Sequence, residues 1–247
     1  MSRGILLQYC NNRRCSMNPS RSPYRQLLWI LPLTVAGAVI ALLLYVILTP
    51  GLSLDYEGTL LMGGAVLLAI LIAGTFFIRT RETGLQKQRA GALLMGGLLM
   101  GYALVLLIFL FFGGVRRYGG NGGWATPLAL RANFIPFHTI GSYLSAWAND
   151  TINQNIVVEN LLGNLFLFAP VGAALPCLFH RQRRFWIFLF TMLAILLLVE
   201  GVQLFTGTGS CDVDDVILNL AGALLAYGMV AIPPVKRLLQ KCYLAQP

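Results

Sequence analysis

Six apolar runs separated by short polar segments set the pattern of this chain. The first, Leu27 to Leu48, carries no charge over about 22 residues, enough at about 1.5 Å per residue to cross a hydrocarbon core of about 30 Å. Similar runs follow from Gly58 to Ile78, Gly91 to Phe112, Ile156 to Phe179, Phe185 to Phe205 and Val213 to Ile232. They predict an all-α polytopic membrane protein with six transmembrane helices. The first run is longer than the apolar core of a secretory signal. It ends in Leu48, Thr49, Pro50 and Gly51 rather than a small-residue cleavage site, so it is read as a retained span. In the third run, Gly97 and Gly101 have the small-xxx-small spacing that lets helices approach closely. Between the third and fourth runs, Phe137, Ile140, Leu144 and Trp147 recur at helical spacing opposite Ser142, Ser145 and Asn149. That predicts a short helix within the third connection of the chain, lying in the membrane interface or packed over the mouth of the bundle.

Composition agrees with this class. At 57% hydrophobic and 11% charged residues, a soluble domain would lack the polar surface to cover itself. The formal charge of +9 therefore bears on orientation, and no nucleic-acid partner is expected. Fifteen of the 18 Lys and Arg fall in the N-terminal tail, the hairpin at 79–90, the turn at 180–184 and the C-terminal tail. The positive-inside bias then puts both termini in the cytoplasm and the interfacial helix on the external or periplasmic side. Asp55, Glu57, Asp150, Glu159, Asp212, Asp214 and Asp215 fall on that same side. The chain divides into a basic tail (1–26), two N-terminal spans with a basic hairpin (27–90), a membrane domain (91–232) and a second basic tail (233–247). Met17 stands beside Met1 as a candidate start. Cys10, Cys15, Cys177, Cys211 and Cys242 form no CxxC pair, so neither a zinc site nor a disulfide framework is indicated.

The candidate chemistry lies in the polar residues that interrupt the last three runs. Asn160 and Asn164 share a face of the fourth, and Glu200 and Gln203 share a face of the fifth. Asp215, Asn219 and Gly222 stack along the sixth. With the orientation above, all of them fall in the outer part of the membrane, with Glu200 about six residues, or roughly 9 Å, from its helix end. Polar groups at such depth are costly and ordinarily have partners or a role. Amides can serve as interhelical glue. Asp212 and Asp214, at the start of the sixth span, fit the role of solvated helix caps. Glu200 fits that kind of explanation least. The proposed ligand-binding set is Asn133, Asn164, Glu200, Gln203, Asp212, Asp215 and Asn219, with Glu200 and Asp215 the candidates for any catalysis. No metal or cofactor is indicated.

These residues also carry a resemblance. Asn133–Phe134–Ile135–Pro136–Phe137, the stretch from Asn160 through Asn164 to Pro170 and Gly172, the pair Glu200 and Gln203, and Asp212, Asp215, Asn219 and Gly222 resemble the signature blocks of the VanZ-like family over about residues 91–232. The resemblance implies a bacterial, multi-pass protein of the inner or plasma membrane and a link to glycopeptide (teicoplanin) resistance. It does not supply a biochemical activity. Where the family carries an arginine six residues before Asp215, this chain has Gly209. Arg116, Arg117 and Arg131 are the alternative cations near the acids.

Three functions fit the residues. One is a cell-envelope protein whose outward-facing polar cleft engages membrane lipid, a lipid-linked envelope precursor or a lipoglycopeptide. Another is an intramembrane enzyme acting on such a lipid through Glu200 and Asp215. The third is a lipid transporter or scramblase. No nucleophile lies beside a base and no inverted repeat is visible, so the binding reading comes first.

Overall fold

The computed structural model describes residues 30–48, 56–112 and 132–245. The tail at 1–26, the first loop with Asp55, the glycine-rich turn at 119–123 and the three alternative cations Arg116, Arg117 and Arg131 lie outside these ranges. The described elements are α1 (Ile30–Leu48), α2 (Tyr56–Arg79), α3 (Gly84–Phe112), β1 (Ala132–Asn133), α4 (His138–Ala148), α5 (Gln154–Leu167), α6 (Ala169–Leu178), a 3-10 turn (His180–Arg183), α7 (Phe185–Thr206), β2 (Cys211–Asp212), α8 (Val213–Ala231) and α9 (Pro233–Lys241). Five of the expected spans correspond to helices long and apolar enough to cross a membrane, namely α2, α3, α5 with α6, α7 and α8. α1 carries no charged residue along its 19 residues, Ile30–Leu48. Large apolar side chains such as Leu61, Leu93, Met100 and Phe205 stand exposed on these helices, which suits a surface solvated by lipid.

The fourth predicted span is two helices in the structure. Pro170 lacks an N–H, and its ring conflicts with the carbonyl four residues back, so the helix breaks at Phe168 and restarts at Ala169. The Tyr102 hydroxyl of α3 donates to the Leu167 carbonyl at this break and occupies a backbone acceptor there. Helices α1, α2 and α3 pack in sequence, α3 continues against α6, and α8 sits against α5, α6 and α7. The main core lies between them, built from Leu106, Phe168, Val171, Leu175, Phe188, Met192, Leu196 and Ala223.

Glycines set the closest contacts. Gly97 and Gly101 face α2, where a Cβ on Gly101 would lie 3.0 Å from Ile70, so the small-xxx-small spacing marks the α2–α3 seam. A Cβ on Gly222 would run into the Leu165 carbonyl, and one on Gly172 into the Ala223 carbonyl. Backbone thus meets backbone on both sides of α8. This close approach of α8 to α5 and α6 positions the polar residues described next.

Candidate functional site

The site grows from the junction where α4 and α8 begin. β1 and β2 pair in parallel, with Ala132 opposite Cys211 and Asn133 opposite Asp212. This two-residue bridge is the single sheet among the described residues, and the apolar periodicity did not anticipate it. Asn133 then closes a local turn, its Oδ1 accepting from the Ile135 N–H at 3.1 Å. Its Nδ2 donates to Asp212 Oδ1 at 3.1 Å and to Thr139 Oγ1 at 3.0 Å. Asp212 Oδ1 also caps α8 by accepting from the Asp214 N–H at 2.9 Å, and its Oδ2 accepts from Thr139 Oγ1 at 2.6 Å.

Asp214 holds α4 in place. Its carboxylate accepts from three backbone N–H groups at the start of that helix: Phe137 at 2.5 Å, Thr139 at 2.8 Å and Ile140 at 3.0 Å. An anion at a helix N-terminus satisfies orphan donors and complements the helix dipole. Phe137 occupies the cap position with φ of 63°, a conformation that a bulky side chain rarely adopts and that this carboxylate helps to fix. The expectation that Asp212 and Asp214 are solvated caps is therefore corrected: they are 8% and 0% exposed. The physical reason is tertiary, because β1 and α4 close over them. Asp214 was also missing from the predicted site. A usable signal exists in the sequence: Phe137 cannot cap α4, so the helix needs an acceptor from elsewhere.

The remaining polar residues lie deeper. Glu200, buried in α7, accepts from the Asp212 N–H through Oε2 at 3.1 Å, which links α7 to the junction. Asn164 of α5 donates through Nδ2 to Asp215 Oδ1 of α8. Asn219, one turn further along α8, donates to the Asp215 carbonyl at 2.8 Å. Among the described residues, its Oδ1 is buried without a hydrogen-bond partner. Two predicted residues turn elsewhere. Gln203 reaches the Leu110 carbonyl of α3 at 3.4 Å, and Asn160 folds back onto the Ile156 carbonyl of its own helix at 2.7 Å. A Cβ on Gly209 would lie 3.2 Å from the Gln203 amide, so the position of the family arginine borders that amide.

Among the described residues, the groups that donate to Glu200, Asp212, Asp214 and Asp215 are all neutral: backbone N–H, amide and hydroxyl. The resulting negative field is felt nearby. The Cys211 thiol is pushed above its ordinary range first by burial and then by the charges of Glu200, Asp212 and Asp215. No group of three or more His, Cys, Asp or Glu among the described residues is arranged to hold a metal ion.

The VanZ/LLP1 family model matches residues 99–234, more than half of the chain. The chain belongs to the VanZ/LLP1 family. Comparison with curated proteins and with solved structures gives no match. The VanZ/LLP1 match contains every residue of the junction and of the deeper cluster, whereas α1, α2 and the first half of α3 precede it. With its apolar helices, this VanZ/LLP1 protein is a multi-pass membrane protein.

Proposed function

We propose that this VanZ/LLP1 protein binds the head group of an envelope amphiphile at the cluster of Glu200, Asp215, Asn164 and Asn219. The observation that carries the reading is the Oδ1 of Asn219, which has no hydrogen-bond partner among the described residues. Leaving a buried acceptor unpaired costs about 1–3 kcal/mol, a cost that a bound donor would recover. Carboxylates and an amide oxygen together are rich in acceptors, so they suit a head group rich in hydroxyls or amines. A lipid-linked sugar or peptide precursor and a lipoglycopeptide both meet that description. Phe134, Ile135 and Phe137, each more than 60% exposed beside the junction, offer an apolar surface for the chain or lipid part.

On this reading Glu200→Gln and Asn219→Ala each abolish teicoplanin resistance in an expressing strain while the amount of protein in the membrane stays normal. Loss of the protein itself would instead mean a structural role. Native mass spectrometry with co-purifying lipids names the ligand, and a chemically altered lipid in the same sample would favour catalysis.

The same reading includes six spans, cytoplasmic termini and a cluster that opens outward, as the distribution of Lys and Arg supports. Two thiols test it together in a Cys10→Ser, Cys15→Ser background. A membrane-impermeant maleimide added to intact cells should modify Cys211 and leave the exposed Cys242 untouched until the cells are opened. Because the Cys211 thiol is raised, less of it is thiolate at a given pH, and its alkylation profile should lie at higher pH than that of a free thiol. Labelling of Cys242 in intact cells would invert the topology.

A further inference from the structure

At the opposite end of the helices from the acids, a cavity of about 200 Å³ is walled by Pro176 and Cys177 of α6, Arg183 of the 3-10 turn, Tyr227 of α8, and Lys236 and Leu239 of α9. We propose that this cavity is a binding site for the phosphate head of an anionic phospholipid, separate from the acid cluster.

Its chemistry differs from that of the acid cluster. There the groups are acceptors, whereas here two cationic residues, Arg183 and Lys236, line one space. Arginine offers a planar fork that matches phosphate oxygens, and lysine adds a point charge. Arg183 is positioned by the backbone around it: its Nε donates to the Pro176 carbonyl at 3.2 Å, and the Tyr227 hydroxyl donates to the Arg183 carbonyl at 2.7 Å. The Tyr227 ring is in turn stacked on the fully buried Phe188, with centroids 4.4 Å apart. One wall is therefore built on the packed core and is not a loose surface cluster.

The other wall comes from α9, which is strongly amphipathic. Lys236, Arg237 and Lys241 are charged, while Val235, Leu238 and Leu239 are apolar. Pro233 and Pro234 start this helix at the end of α8, as suits a helix turning from a span into the interface plane. The rest of the lining, including Val230 and Ala231, is apolar. Apolar walls with two cationic residues in the lining match a glycerophosphate whose acyl chains continue into lipid, and basic pockets between helices are a known form of head-group site. The volume admits a head group but not a whole lipid.

The assignment does not depend on the acid cluster or on sidedness, since symmetric lipid samples report it. In the purified full-length chain in detergent, phosphatidylglycerol should slow alkylation of Cys177, the buried thiol in the wall, at least five-fold, and phosphatidylcholine should not. Lys236→Gln, at an exposed position that folding tolerates, should weaken phosphatidylglycerol binding at least five-fold by native mass spectrometry. Arg79→Gln, a charge outside the cavity lining, should leave it unchanged. Equal weakening by Arg79→Gln, equal protection by phosphatidylcholine, or no protection at all would overturn the site. Equal protection by inorganic phosphate would overturn the lipid assignment in favour of a soluble anion.

Discussion

Asp214→Ala should cost about 3 kcal/mol or more of stability, since a hydrogen bond to a charged group is worth about 1.5–3 kcal/mol and three are lost together. Three backbone donors at the start of α4 lose their acceptor at once, and Phe137 loses part of what holds its left-handed backbone. α4 has no buried residue of its own to hold it down, so the damage should be local before it is global. Hydrogen exchange should show lost protection at the amides of Phe137, Thr139 and Ile140, with a lower midpoint of thermal unfolding in detergent. Asp214→Asn should fall between, because its carbonyl still accepts while its NH2 meets a donor. Unchanged protection of those three amides in Asp214→Ala would show that α4 is anchored by something else.

Gly222→Ala should be the second severe change. The added methyl meets the backbone carbonyl of Leu165, and backbone cannot rotate away as a side-chain tip can. Overpacking ordinarily costs about 1–3 kcal/mol, and this contact should reach or exceed the upper end. Gly172→Ala, which meets the Ala223 backbone from the other side, should behave alike. Gly163→Ala is the matched control, because a Cβ there meets nothing within 4 Å and a helix gains from alanine. If Gly222→Ala and Gly163→Ala purify in equal amounts with equal melting points, the close approach of α5 to α8 is wrong.

The sequence made the helices legible because lipid imposes a simple requirement. A span must be long, apolar and internally hydrogen-bonded, and α2, α3, α7 and α8 show it in composition alone. The break before Pro170 was visible as a proline, but its result as two helices was not. Within the site, the stacking of Asp215 and Asn219 on α8 followed from helical spacing, whereas Asn164 was placed near them by the order and direction of the spans, and hydrogen bonds join all three. Gln203 was placed on the right helix but is drawn to the Leu110 carbonyl of α3, a choice that periodicity cannot register. The role of Asp214 was the largest omission. An acid in a first turn looks like the partner of its own helix, and only the folded chain shows it serving α4.

That cap has a consequence for the order of events during synthesis. Asp214 stands 77 residues after Phe137, so when α4 emerges from the ribosome its capping anion does not yet exist. The start of α4 therefore lacks this acceptor while α5, α6 and α7 are being made. Only arrival of the final span delivers the carboxylate, pins the helix and closes β1 against β2. Long-range contacts of this kind form late in folding. A chain that ends before α8 lacks the acceptor for these three amides, so the cap of α4 can form only once the last long helix of the chain has been made.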